Sequence, residues 1–142
     1  MSNTHSPVTY RGRSFGVVVL TAVQFLIGVI HVFSGLWLLA AGSSADFVIS
    51  AQFPEVYSIY TLAFGLLILI FTGGIWLGRS WGWVGTVAVS LFIIVADALT
   101  LLNLPSIPGI PRLAAAAEIL YSLVVLLYLS QTHVRIKFKI SI

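Results

Sequence analysis

The runs WGWVGTVAVSLFIIVADALTLLN at residues 81–103 and LAAAAEILYSLVVLLYLSQ at residues 113–131 decide the fold of this chain. Each run is about long enough to cross a hydrocarbon core of about 30 Å as a helix. The linker between them, LPSIPGIPR at residues 104–112, contains three prolines, which prevent one continuous helix and force a compact reversal. The two runs are therefore predicted to be antiparallel neighbours.

Each of these runs carries one acidic residue, Asp97 in the first and Glu118 in the second. An ionised carboxylate at membrane depth costs about 3 kcal/mol or more, so a lipid-facing position is strongly disfavoured. Both acids are expected to face the interior of a helix bundle, where they are paired or protonated.

The composition places the whole chain in the membrane. Mean hydropathy is +1.08, 59% of the 142 residues are hydrophobic and only 8% are charged, whereas about a quarter are charged in soluble domains. The absence of cysteine excludes disulfides, thiolate metal sites, iron–sulfur clusters and thiol relays. The seven Lys and Arg are dispersed, so nucleic acid is not an expected partner, and the lipid bilayer is.

Residues 1–142 are predicted to form one integral membrane domain, an all-α, four-helix antiparallel up-and-down transmembrane bundle. Its predicted spans are residues 15–41, 56–77, 81–103 and 113–131, followed by a basic tail at 132–142. A cleaved signal peptide is the competing interpretation of the first span. That span, however, greatly exceeds the apolar region of a signal peptide.

The distribution of positive charge predicts the orientation. One side of the four-span arrangement carries six of the seven cations, which are expected at the membrane surface: Arg11, Arg13, Arg79, Arg135, Lys137 and Lys139. Arg112 alone lies on the other side. The positive-inside rule then places both termini in the cytoplasm, with the chain in the cell membrane. Aromatic residues near the span boundaries are expected to form an interfacial belt: Trp37, Trp76, Trp81, Trp83 and Tyr57.

The C-terminal tail alternates apolar and polar residues. Val134, Ile136, Phe138 and Ile140 alternate with basic and polar residues, a period of two that predicts an extended segment. Such a segment would lie on anionic headgroups or pair as an edge strand with another subunit. Deletion of residues 135–142 is accordingly expected to leave the bundle folded.

Polar residues from the four spans are predicted to reach one depth. A rise of about 1.5 Å per residue brings His31, Asp97 and Glu118 to the outer third of the membrane. The predicted polar pocket consists of His31, Asp97, Glu118, Tyr60, Thr61 and Tyr121. Small and polar residues share a face on several spans, so the alternative is that Gln24, Ser90 and Tyr121 only form hydrogen bonds between helices. His31 could likewise have a purely structural role, in which it pairs with one buried partner.

Specific cofactor chemistry finds little support in the sequence. Haem ligation by two histidines is disfavoured because His5 and His133 lie at the opposite end of the predicted bundle from His31. No HExxH spacing, nucleophile elbow, phosphate-binding loop or dinucleotide fingerprint occurs. No metal, cofactor or catalytic residue is predicted, and proton or cation transfer through the acids is the simplest active use of the pocket.

The turn Gly78-Arg79-Ser80-Trp81-Gly82, with the glycine-rich helix end before it, resembles a pattern in small four-helix membrane proteins of bacteria and archaea. These include DoxX-like proteins and related families of unknown function. The resemblance covers residues 15–131 in span number and spacing. It implies an accessory membrane subunit, in some cases linked to quinone-coupled respiration, and it supplies no catalytic residue for this chain.

Three functions follow as hypotheses. The first is a structural or accessory subunit, whose partners would be a larger membrane complex or further copies of the chain. The second is a small transporter or proton-conducting protein that uses Asp97 and Glu118. The third is a membrane enzyme with a pocket in the outer leaflet, and a non-enzymatic role is favoured over it.

Overall fold

A computed structural model describes residues 14–43 and 55–140 of the chain. The described residues form four long helices and one short one: α1 (Phe15–Ser43), α2 (Glu55–Trp76), α3 (Ser80–Leu101), α4 (Arg112–Leu129) and α5 (Thr132–Lys137). No strand occurs in these two segments. The all-α, four-helix prediction is thus confirmed. Arg11, Arg13 and the whole loop between α1 and α2, residues 44–54, lie outside the described residues.

Helices α1 to α4 form a closed up-and-down bundle. Each of the four long helices packs against the next one in the chain, and α1 and α4 share one apolar cluster that includes Val17, Val125 and Leu129. We call the end that holds the start of α1 and the end of α4 the proximal end, and the opposite one the distal end. Because the helices alternate in direction, the linker at 102–111 lies at the distal end.

The bundle is apolar on its outside, and many of its polar residues are buried in its interior. Large apolar side chains such as Phe33, Leu113 and Leu127 are exposed. The buried polar and charged residues of the described segments are Thr21, Gln24, Ser58, Thr61, Thr72, Thr86, Ser90, Asp97 and Ser122. This arrangement is opposite to that of a soluble protein and suits a hydrocarbon surround. All four long helices have the length and hydropathy to cross a bilayer, as expected of a multi-pass membrane protein.

The proline-rich linker fastens α3 to α4 at the distal end. The Ser106 hydroxyl donates a hydrogen bond to the carbonyl oxygen of Ala96 at 2.8 Å, and the Arg112 guanidinium donates to Oδ1 of Asn103. Pro111 precedes α4 with a φ of −67°, which suits the approach to a helix. The predicted compact reversal is therefore present, and it holds the α3 turn that contains Asp97 close to the start of α4.

Close helix contacts depend on glycines at the helix interfaces. A Cβ atom on Gly65 of α2 would lie 2.7 Å from the backbone nitrogen of Val32 and 2.9 Å from Cβ of His31 in α1. A Cβ atom on Gly82 of α3 would collide with the backbone of Gly74 in α2. Helices pack this closely only where side chains are absent, a common device in membrane bundles.

The C-terminal tail differs from its predicted extended form. Residues 132–137 form α5, and Val134 and Phe138 are 0% and 3% exposed within the apolar cluster that also contains Val17 and Leu129. Residues four apart share a face in a helix as well as in a strand, so the alternating pattern fitted both structures. The prediction of an extended surface segment is therefore wrong, and this segment closes the proximal end of the core.

One aromatic residue also departs from its predicted place. Trp37, Trp76 and Trp81 are well exposed, but Trp83 is 9% exposed and belongs to the apolar cluster. Its indole Nε1 donates a hydrogen bond to the carbonyl oxygen of Leu129 at 3.1 Å. This carbonyl lies at the end of α4, where the helix leaves acceptors unpaired. Trp83 therefore caps the end of α4 inside the core and does not join an interfacial belt.

The two glycines of α2 provide a matched test of the α1–α2 contact. Gly65→Ala should destabilise the bundle by about 1–3 kcal/mol, because the added Cβ meets the α1 backbone. Among the described residues nothing lies within 4 Å of the corresponding position on Gly73, so Gly73→Ala should leave stability unchanged or raise it through helix propensity. Thermal unfolding in detergent, followed by circular dichroism, measures both. Equal melting temperatures would contradict the contact.

The burial of α5 generates a second prediction. Phe138→Ala should lower the free energy of unfolding by about 3 kcal/mol, because it leaves a cavity in the proximal core. Ile136, 65% exposed on the same helix, supplies the control, and Ile136→Ala should change stability by less than about 1 kcal/mol. Removal of residues 135–142 should also destabilise the bundle. Unaltered melting of both the truncated protein and the Phe138 variant would show that α5 is peripheral.

Candidate functional site

His31 of α1 and Glu118 of α4 form the only ion pair found among the described residues. His31 Nε2 lies 3.5 Å from Oε1 of Glu118, and the two side chains are 21% and 26% exposed. His31 Nδ1 lies 2.9 Å from the carbonyl oxygen of Ile27. Since a carbonyl oxygen only accepts, Nδ1 carries a hydrogen there. Nε2 and the Glu118 carboxyl therefore share one further proton, which resides either on the imidazole or on the carboxyl group.

The position of His31 follows from the helix contact at Gly65. The missing side chain of Gly65 lets α2 lie directly against the α1 turn that carries His31. This close contact leaves the imidazole half-buried on the side of α1 that faces α4. The ion pair thus joins the first and last long helices across the ring, at the distal end of the bundle.

Asp97 is the most isolated charged group of the site. It is 0% exposed, and neither carboxylate oxygen has a hydrogen-bond partner among the described residues. It is close enough to Glu118 and His31 to interact with both electrostatically. A buried carboxylate without a donor is strongly unfavourable. Binding of a proton or a cation is the chemistry that would neutralise it.

The three predicted neighbours occupy different places. Tyr60 of α2 interacts electrostatically with Asp97 and Glu118, although its buried hydroxyl has no hydrogen-bond partner in the described segments. Thr61 is 5% exposed, and its side chain is hydrogen-bonded to that of Tyr57. Tyr121 lies beside Gln24, farther from the distal end. The structure thus brings Tyr60 to the acids, whereas Tyr121 contacts a second polar group.

Tyr57 belongs to the site although it was assigned to the interfacial belt. Its phenol interacts electrostatically with Glu118 and Asp97. It also borders an open depression of about 500 Å³ at the distal end, together with Ser34, Trp37 and Pro111. Tyr57 lies four residues before Thr61, so the helical repeat could have placed it on the same face. Tyr57 thus borders this depression and lies within electrostatic range of both acids.

The arrangement does not resemble a metal centre. No three His, Asp or Glu side chains within residues 14–43 and 55–140 converge as ligands for a metal ion. His31 and Glu118 face each other, and the oxygens of Asp97 lack contacts with either within hydrogen-bonding distance. His31, Asp97 and Glu118 can hold and exchange protons with less rearrangement than binding of a metal ion would require.

The predicted membrane-surface cations of the described segments lie at the proximal end, away from the acids. Arg79, Lys137 and Lys139 are exposed, and Arg135 is half-buried. Arg112 lies at the distal end, where it contacts Asn103. The bundle is therefore polarised, with basic groups at one end and the buried acids near the other.

Comparisons of this chain with models of protein families, with curated proteins and with solved structures give no match. The resemblance to DoxX-like proteins therefore stays a prediction.

Proposed function

We propose that this protein is a small proton-conducting or proton-coupled transporter of the cell membrane, with His31, Asp97 and Glu118 as its proton-binding groups. One observation carries the proposal: Asp97 is completely buried without a hydrogen-bond donor, next to the His31–Glu118 pair. Intramembrane ionisable residues in bundles mark ion pathways and proton relays.

The proposed step is a proton exchange without redox chemistry. The proton shared by His31 Nε2 and Glu118 leaves that pair, and an O–H bond forms on the carboxylate of Asp97. Release of that proton from Asp97 toward the proximal end, followed by uptake of another proton by the His31–Glu118 pair from the distal surface, restores the starting state with one proton moved across the bundle. Tyr57 and the depression beside it provide the approach from the distal surface. Asp97 is 0% exposed and Glu118 is 26% exposed, so Asp97 is the group that receives protons from the His31–Glu118 pair.

The orientation is part of the proposal. The exposed cations at the proximal end favour a cytoplasmic location of both termini, and the acid site then lies toward the outer face. A protease added to intact cells should spare a tag fused to the C-terminus and cut one inserted after Ser44. Cleavage of the C-terminal tag would show that the protein has the opposite orientation.

Proton flux tests the assignment of Asp97. Vesicles that contain the purified protein should acidify several-fold faster than protein-free vesicles when a membrane potential draws protons inward. Asp97→Asn should abolish the difference in acidification rate, because the amide has nearly the same shape as the carboxyl group but cannot take up a proton near neutral pH. Glu55→Gln, which changes an exposed acid at the start of α2, should retain it. Circular dichroism melting verifies that each variant is folded.

Equal flux through the native protein and Asp97→Asn would contradict the proposal, as would flux no faster than that of protein-free vesicles. In the latter case an accessory subunit becomes the better assignment. One observation favours this second candidate: an outward groove of about 510 Å³ between α1 and α2, in which the small residues Ala22, Thr72 and Gly73 lie among larger apolar ones such as Phe25, Leu69 and Trp76. Small residues of this kind admit a helix of another membrane protein. Co-purification with larger membrane proteins in mild detergent would then be expected.

A further inference from the structure

A second polar group lies in the middle of the bundle, outside the acid site. Gln24 of α1, Thr86 and Ser90 of α3 and Tyr121 of α4 line one internal cavity, with Ile93 among its apolar walls. Gln24, Thr86 and Ser90 are 4%, 3% and 4% exposed. Ser90 precedes Asp97 by seven residues, a distance of about 10 Å along a helix. The cavity is therefore separate from the acids.

Three polar atoms in this cavity lack a partner within the protein. They are Oε1 of Gln24, Oγ1 of Thr86 and the hydroxyl of Tyr121, none of which makes a hydrogen bond to any described residue. Tyr121 lies close enough to Gln24 for the two side chains to interact, but neither the Tyr121 hydroxyl nor Oε1 of Gln24 makes a well-formed hydrogen bond within the described residues. Buried polar atoms are nearly always satisfied, by the protein or by an ordered water. Three such atoms from three helices around one cavity point to a shared ligand.

The size and chemistry of the cavity identify that ligand as water. The space open to the centre of a water molecule is about 10 Å³, close to the minimum for one molecule. A water could donate its two hydrogens to Gln24 Oε1 and Thr86 Oγ1 and accept the hydrogen of the Tyr121 hydroxyl. This arrangement provides about three hydrogen bonds, the number typical of buried waters. The lining carries no formal charge, so a metal ion would have no counter-charge there.

We propose that this cavity is a binding site for one internal water molecule, which links α1, α3 and α4 through Gln24, Thr86 and Tyr121. The site is distinct from proton exchange at Asp97 and does not require it, because the water can be detected in a protein that transports nothing. The water would satisfy the central polar atoms and so stabilise the three-helix contact.

The position of the water can be tested directly by nuclear magnetic resonance in lipid nanodiscs. Cross-relaxation should pass from water to the methyl protons of Ile93, which is 5% exposed and lines the cavity. The methyl protons of Ile75, which is 1% exposed and not among the cavity residues, should receive none. Absence of transfer to Ile93, or equal transfer to both residues, would overturn the proposal.

Two threonines provide matched variants. Thr86→Val keeps the side-chain shape but removes one partner of the water, so it should reduce the transfer to Ile93 several-fold and lower the melting temperature. Thr72→Val is the control, because the Thr72 hydroxyl already donates to the Ile68 carbonyl oxygen at 2.6 Å and lies outside the cavity. It should leave the transfer unchanged. In a dry cavity Thr86→Val would instead raise the melting temperature, since it removes an unpaired buried hydroxyl, and this result would refute the water site.

Discussion

The cost of exposing a carboxylate to hydrocarbon is the constraint on which this bundle depends. Asp97 can avoid that cost only if its face of α3 points inward, and the same face carries Gly82, Thr86 and Ser90, which are all buried. The orientation of α3 in turn determines which faces of α2 and α4 it meets. A single acid thereby aligns a polar stripe with the bundle axis and leaves the apolar faces to lipid.

Close packing in this protein cannot draw on the usual hydrophobic force, because lipid tails are as apolar as leucine. Its helices instead come together at glycines and small residues. Gly65 lets α2 touch the backbone of α1, and Gly82 lets α3 touch α2. The proximal end is different. There Trp83, Leu129, Val134 and Phe138 form a conventional apolar core. The segment that contains α5 covers the proximal end of this core.

The His31–Glu118 pair illustrates how a backbone contact controls the chemistry of a side chain. The Ile27 carbonyl occupies Nδ1 of His31 and so leaves Nε2 as the nitrogen that meets the carboxyl group. A histidine whose two nitrogens are assigned in this way exchanges a proton at one defined position. Asp97 lies within electrostatic range of that position. The structure thus combines a proton shared by two side chains with a buried carboxyl group nearby. Helix packing alone would not require this combination.

The sequence by itself determined the four helices, their antiparallel order and the inward position of the acids. These features depend on local quantities: the length of an apolar run, the prolines at 105, 108 and 111, and the cost of a charge in lipid. The tertiary structure alone decided the rest. Val134 and Phe138 suit a strand or a helix equally until the proximal core offers them a surface. Trp83 lies inside because the end of α4 presents an acceptor, and Tyr121 meets Gln24 because α1 and α4 adjoin across the ring. Such contacts join residues far apart in the chain, and no local pattern encodes them.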